Sequence, residues 1–283
     1  MEKPKIGAHV STAGGLFTAF GRAKEIGADC AQIFGASPRM WQAKLPSADD
    51  IKKFKEEEKR SGIGPVFLHA PYLINLGTPN GELLLKSVKN LSAHLKIAEL
   101  IGAAGVIFHI GSSAGMEKER SLRQVVSAMK KVIADVPGQS HLVIENNAGG
   151  GEKIGKTIEE LSWIFKQVGS KRLRVCLDTA HAFESGIIRE YKLPEIKRFV
   201  DEWDKVVGLK NIVAIHANDS KTPWNSHNDR HENIGQGHIG LQGFKELAKE
   251  KRLWDKVWLL EVPGFRNEGP DKKNVDILKS CFK

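Results

Sequence analysis

The stretches PVFLHA (65–70), GVIFHI (105–110), HLVIENN (141–147), RVCLDTA (174–180), NIVAIHAND (211–219) and VWLLEV (257–262) share one plan. Each is a short apolar run that closes on a histidine or a carboxylate: His69, His109, Glu145, Asp178, His216 and Glu261. Two earlier runs, KIGAHV (5–10) and CAQIFG (30–35), bring the number to eight. Between them lie polar loops and segments with a 3.6-residue apolar repeat, such as DDIKKFKEEEKRSG (49–62) and GELLLKSVKNLSAHLKIAELIG (81–102). Both stop on a glycine, as a helix that closes through a left-handed residue does. In the second, Leu84, Leu85, Val88, Leu91, Leu95, Ile97 and Leu100 make one core-facing stripe. Strands apolar on both faces and alternating with helices require a parallel sheet covered by helices. Eight such strands close into a barrel. An open doubly wound sheet is the alternative, but no G-x-G-x-x-G follows the first strand. The expected fold is an α/β, single-domain (β/α)8 TIM barrel over residues 1–283.

Composition agrees with that size of core. The chain has 283 residues, 41% hydrophobic and 27% charged, which excludes general disorder and collagen-like or disulfide-scaffold classes. No run approaches the length of a membrane span. MEKPKIGAHV leads straight into a strand without a signal-peptide apolar region, and Cys30, Cys176 and Cys281 are too scattered for paired thiols. A cytoplasmic protein with reduced cysteines and no membrane partner is expected, a monomer by default. A formal net charge of +9 favours a polyanionic partner.

In a parallel barrel every strand opens its C-terminal end onto one face, where barrel enzymes keep their sites. Six metal-competent side chains therefore converge from six strands. More lie just beyond: His181 follows Asp178 in D-T-A-H, and Asp229 and His231 flank Arg230, so that both point to one side of an extended segment. Imidazoles mixed with carboxylates suit Zn2+ or Mn2+ better than Mg2+ or Ca2+. Five histidines and four acids exceed one tetrahedral shell and suit three ions if a carboxylate bridges. Such a cluster fits hydrolysis of a phosphodiester.

The blocks GAHVSTAGGL (7–16), HAPYLINL (69–76), FHIGS (108–112), IENNAGGG (144–151), CLDTAHAF (176–183), HANDSK (216–221), DRHENIGQGHIG (229–240) and LLEVPG (259–264) are more specific than spacing alone. In them the chain resembles, nearly end to end, the endonuclease IV family of zinc-dependent abasic-site (AP) endonucleases. The resemblance implies three Zn2+: one held by His69 and His109 with Glu145 bridging, a second that also takes Asp178, His216 and Glu261, and a third on His181, Asp229 and His231. Mn2+ at one or more of these positions is also compatible. It further implies that a metal-bound hydroxide attacks in line at the phosphate 5′ to an abasic nucleotide in double-stranded DNA, leaving a 3′-hydroxyl and a 5′-deoxyribose phosphate. Glu261, and secondarily Glu145, resemble the carboxylates that position or deprotonate the nucleophile. Family members commonly carry Cys at Ala180 and A-G-Y-D at Ser185-Gly186-Ile187-Ile188, departures that remove no ligand.

By the same resemblance Arg39, Trp41, Tyr72 and Leu73 enter and distort the duplex; Lys221 and Arg230, beside ligand residues, are candidate phosphate contacts. An abasic nucleotide costs less to flip out than a normal one, which is a source of selectivity. His9 ends the first strand and is expected to back the site, whereas His94 and His141 read as packing or surface residues and His227 and His238 as bystanders. Two other readings compete: a mononuclear sugar isomerase or epimerase built on Glu145, Asp178, His216 and Glu261, and a non-catalytic lesion-binding protein. Neither gives work to His69, His109, His181, Asp229 and His231.

Overall fold

A computed structural model describes residues 2–283. The eight expected runs form strands β1 (Ile6–His9), β2 (Cys30–Phe34), β3 (Val66–His69), β4 (Gly105–Phe108), β5 (His141–Glu145), β6 (Leu173–Asp178), β7 (Ile212–His216) and β8 (Val257–Leu260). All pair in parallel, in sequence order, and β8 closes onto β1. The helices are α1 (Thr18–Glu25), α2 (Ala48–Ser61), α3 (Gly81–Ile101), α4 (Lys118–Asp135), α5 (Ile158–Val168), α6 (Thr179–Glu184), α7 (Leu193–Val206), α8 (Gly240–Leu247) and α9 (Lys272–Cys281). The chain is a closed, single-domain (β/α)8 barrel. No helix among the described residues is long and apolar enough to cross a membrane.

Local chemistry sets the helix ends. Ser47 accepts from the backbone N–H of Asp50 while Asp50 reaches back to Ser47, and Gly62 closes α2 in the left-handed region at φ 71°. Asn80 caps α3 at its start and Gly102, at φ 79°, ends it. Most of the α3 stripe is covered by the barrel, but Leu85 is half exposed, because it lies on the solvent edge of the apolar arc. His94, on the same helix, is fully buried and not a surface residue; its Nδ1 lies 2.9 Å from the carbonyl of Asn90.

The two-residue side-chain period divides the strands into a face toward the helices and a face toward the barrel axis. Ala31, Ile33, Leu68, Val106 and Ile144 pack outward with the helices. Cys30, Phe67, Ile107, Val143, Cys176, Ala214 and Leu259 fill the interior as one apolar layer. Two residues further along each of these strands the next inward position is Gln32, His69, His109, Glu145, Asp178, His216 or Glu261. His9 takes the same level on β1, where its backbone pairs with that of Gln32. The polar ring is thus one side-chain layer above the apolar plug. Burial holds the Cys176 thiol up at about 12 and raises that of Cys30 as well, so these interior cysteines stay neutral spacers.

A short antiparallel ladder, Asp219–Ser220 with His231–Glu232, folds the segment after β7 back over the barrel mouth. Its anchor is the buried carboxylate of Asp219, which accepts from the backbone N–H groups of Ser220, Gly235, Gly237, Ile239 and Gly240 at 2.9–3.2 Å. Gly237 is required there because a Cβ would lie 2.2 Å from the Ser220 carbonyl. Removing the anchor strands several buried donors, each costing about 1–3 kcal/mol. Asp219→Ala is expected to destabilise the chain by about 3 kcal/mol or more in urea unfolding; an unchanged midpoint would contradict this role.

Candidate metal centre

The polar ring and the folded-back ladder put all nine sequence-predicted donors into one connected cluster. Glu145 is its centre. Its Oε1 lies 2.8 Å from His216 Nδ1 and 3.3 Å from His181 Nδ1; its Oε2 lies 3.3 Å from His69 Nε2 and 3.6 Å from His109 Nε2. Glu261 Oε2 is 3.2 Å from His216 Nδ1. Asp229 Oδ1 reaches His181 Nε2 at 3.2 Å and His231 Nε2 at 3.8 Å, and the two Nε2 atoms are 3.4 Å apart. Neighbouring imidazole rings follow one another at centroid separations of 5.2–5.9 Å. Asp178 serves more than the single site that the sequence assigned to it: its Oδ2 is 3.8 Å from His216 Nδ1 and also 3.7 Å from His231 Nε2.

Hydrogen bonds behind the ring fix which nitrogen faces inward. The carbonyl of Ala70 lies 2.7 Å from His69 Nδ1, and that of Asn146 lies 3.0 Å from His181 Nδ1. A carbonyl only accepts, so these nitrogens carry protons and the Nε2 atoms turn their lone pairs to the cluster. His216 is reversed: Nε2 donates to Gln32 Oε1 at 2.8 Å and Nδ1 faces the acids. A neutral imidazole lone pair facing a carboxylate oxygen is repulsive unless a proton or a cation lies between them. Among the described residues no lysine or arginine pairs with Glu145, Asp178 or Glu261, and Asp229 has only Lys153 at 3.8 Å.

Ionisation follows the same imbalance. Burial opposes charge on Glu145, yet the facing imidazoles of His109 and His216 outweigh it and hold the carboxyl well below its usual range. Burial likewise opposes protonation of His181, and the Asp178 and Asp229 carboxylates override it, raising this imidazole well above its ordinary value. Without a cation, Glu145 is held anionic and His181 holds its second proton. Divalent cations satisfy the same arrangement, because imidazole and carboxylate at these spacings are a zinc donor set. Four groups have the required convergence: His69, His109 and Glu145; Glu145, Asp178, His216 and Glu261; Asp178, His181 and His231; and His181, Glu184 and Asp229, with Asp229 against both His181 and His231.

Three contributors escaped the sequence reading. Gln32 is fully buried; besides His216 it contacts His9 Nδ1 at 3.0 Å and donates to Glu261 Oε1 at 2.5 Å. Its signal was an amide on the axis-facing side of an otherwise apolar strand. Lys153, after β5, lines the cleft beside Asp229, and Glu184, at the end of α6, is buried near His181. His9 lies where it was expected, 3.5 Å from Glu261 Oε1.

The outer candidates sit on loops around the mouth. Tyr72, 71% exposed, and Leu73 line a cleft of about 360 Å³ with His109, Asn147, Lys153 and Asp229. Arg39 is exposed, and Trp41 is half-buried with its carbonyl held by Asn90 at 2.8 Å. Lys221 and Arg230 are exposed on facing segments joined by a 2.9 Å backbone bond, next to Asp229. His141 lies at the opposite end of the barrel.

A family model described as a xylose isomerase-like TIM barrel matches residues 20–281. A relative from Halothermothrix orenii named probable endonuclease 4 is 38% identical over 276 residues, covering 97% of this chain and 99% of its own. Another of that name, from Aquifex aeolicus, is 39% identical over 279 residues, covering 98% and 97%. The solved structure of endonuclease IV from Thermus thermophilus matches with a TM-score of 0.84 at 36% identity over 98% of each chain. Fold and site together define a xylose isomerase-like barrel whose mouth gathers metal-ligating side chains. Within that class, the chain belongs to the endonuclease IV family.

Gln32 orients the His216 imidazole and the Glu261 carboxylate at once, and partners that stand in this way behind metal ligands typically carry about 10–100-fold in metal affinity. Gln32→Leu is therefore expected to weaken Zn2+ binding about 10–100-fold in competition with a chromophoric chelator while the melting temperature stays within a few degrees. Wild-type affinity in this variant would contradict the assignment.

Proposed function

We propose that this nuclease incises double-stranded DNA on the 5′ side of abasic nucleotides, leaving a 3′-hydroxyl and a 5′-deoxyribose phosphate, and that it works with three zinc ions. The observation that carries this reading is the convergence of nine donors into one cluster beneath a cationic, aromatic rim. His69, His109 and Glu145 would hold one ion. Glu145, Asp178, His216 and Glu261 would hold a second, and His181, Asp229 and His231 a third, with Asp178 near both. Zinc bound there would supply Lewis acidity, lowering the pKa of water and neutralising charge on a phosphate.

The chain's own groups divide the remaining work. Glu145 and Asp178 are fully enclosed, whereas the Glu261 side chain keeps 16% of its surface open. Glu261 is thus the acid that an attacking water can reach. Gln32 fixes its Oε1, which leaves Oε2 to orient that water and take its proton. Glu145, with both oxygens committed to imidazoles, acts as the central strut. Lys153, Lys221 and Arg230 border the cluster with positive charge for the phosphates on either side of the lesion. Tyr72, exposed where a lone aromatic has no folding reason to be, stacks into the space left by the missing base, with Leu73, Arg39 and Trp41 around it.

A sugar isomerase needs only the Glu145, Asp178, His216 and Glu261 group. The other donors and the endonuclease relatives both argue against it.

The direct test is a labelled duplex with one abasic analogue. The zinc-loaded chain is expected to cut on the 5′ side and to leave an intact duplex uncut; no incision at any zinc concentration would overturn the proposal. Glu261→Gln is expected to keep the fold and the affinity for the abasic duplex while incision falls at least about 100-fold, since positioned acid–base groups contribute about 10²–10⁴-fold. Near wild-type turnover would remove Glu261 from this role. Tyr72→Ala is expected to lower the preference for abasic over intact duplex about tenfold, within the range of a lost base–aromatic stack. An unaltered ratio of the two binding constants would retire the stacking role.

A further inference from the structure

Glu184 ends α6, three residues after His181 and so on the same face of that helix. It is fully buried, and its two oxygens have different surroundings. Oε1 accepts from Ser220 Oγ at 2.7 Å, Thr222 Oγ1 at 3.1 Å and the Arg230 N–H at 3.3 Å. Oε2 is equally shielded from water and has no hydrogen-bond partner of any kind. One donor atom from each of Glu184, His181 and Asp229 lies within 4.8 Å of the others.

A buried carboxylate oxygen with no donor is costly as an anion. Burial accordingly pushes the Glu184 carboxyl up from its ordinary value. A proton relieves the cost, and so does a cation shared with the neighbouring His181 and Asp229. The third donor group, His181, Asp229 and His231, has one carboxylate of its own and shares Asp178 with the second; Glu184 adds a carboxylate that belongs to this position alone. Zinc bonds of about 2.0–2.2 Å would draw these donor atoms closer together than the 4.8 Å that now bounds them.

We propose that Glu184 is an additional ligand of the third metal position, supplying Oε2 alongside His181, Asp229 and His231. This rests on the three-zinc reading above. The consequence is a closed protein shell at that ion, which holds it more tightly and leaves it less open to exchange than the other two. Ser220 and Thr222 act as braces: by occupying Oε1 they aim Oε2 at the ion.

The test follows zinc release from the fully loaded chain into an excess of a chromophoric chelator, with cobalt-substituted protein giving a visible spectrum that reports coordination. Wild type is expected to release three zinc ions, one of them slowly. Glu184→Gln, which keeps an oxygen for the hydroxyls and removes the charge, is expected to release that slow ion at least about tenfold faster and to alter the cobalt bands. Ser220→Ala, which spares the carboxylate and leaves Thr222 Oγ1 and the Arg230 N–H on Oε1, is expected to keep slow release. The proposal is overturned if Glu184→Gln releases all three at wild-type rates, or if Ser220→Ala accelerates release as much as Glu184→Gln does. A wild-type chain that holds fewer than three zinc ions overturns the three-zinc reading and this inference together. Matching melting temperatures of the zinc-free variants keep altered release from being read as unfolding.

Discussion

Acids and imidazole lone pairs are held face to face at the top of this barrel, inside a wall that admits little water. Glu145 has two imidazole nitrogens against each of its oxygens and no lysine or arginine to balance it. That arrangement is unfavourable without positive charge between the groups. Protons can supply it in the bare chain, and divalent cations supply it with the geometry that the backing hydrogen bonds already impose. The barrel makes the arrangement tolerable. Its strands are locked by parallel pairing around a closed ring, and an apolar layer of Phe67, Ile107, Val143 and Leu259 plugs the space beneath.

The site is layered, with a different physical task at each depth. Ala70, Asn146 and Gln32 stand behind the imidazoles and decide which nitrogen faces inward. Asn218 does the same for two acids, donating to Asp178 Oδ2 and accepting from the Glu261 N–H, both at 2.7 Å. Above the donors, the loop tied down by Asp219 carries Asp229 and His231 into the mouth. Outermost come Tyr72, Lys153, Lys221 and Arg230. A polyanion approaching this face meets the exposed Tyr72, Lys221 and Arg230 first, then Lys153 in the cleft, then the enclosed donors.

Much of this was legible in the sequence, for a physical reason. Strand period and barrel closure together force the last inward residue of each strand onto one ring, so His69, Glu145, Asp178 and His216 could be read off as strand ends. His181, Asp229 and His231 were visible because they flank those ends in short, distinctive blocks. Gln32 was not, because it lies three residues short of the end of its apolar run, and only counting inward positions from Cys30 exposes it. Lys153 was hidden because its contacts come from loop folding, which no periodicity encodes; Glu184 shares a helix face with His181, but its partners Ser220, Thr222 and Arg230 arrive only with the folded-back segment. The dual reach of Asp178 was hidden too: it depends on the return of His231 across the mouth. Leu85 marks the converse failure, a helical stripe read one residue too wide.

We propose that this mouth is a trinuclear zinc pocket. Anomalous difference density collected on both sides of the zinc absorption edge, from crystals grown with zinc, measures it most directly. Three separate peaks are expected among the nine donors, with Glu145 between two of them. A solitary peak, or peaks away from these side chains, would contradict the account.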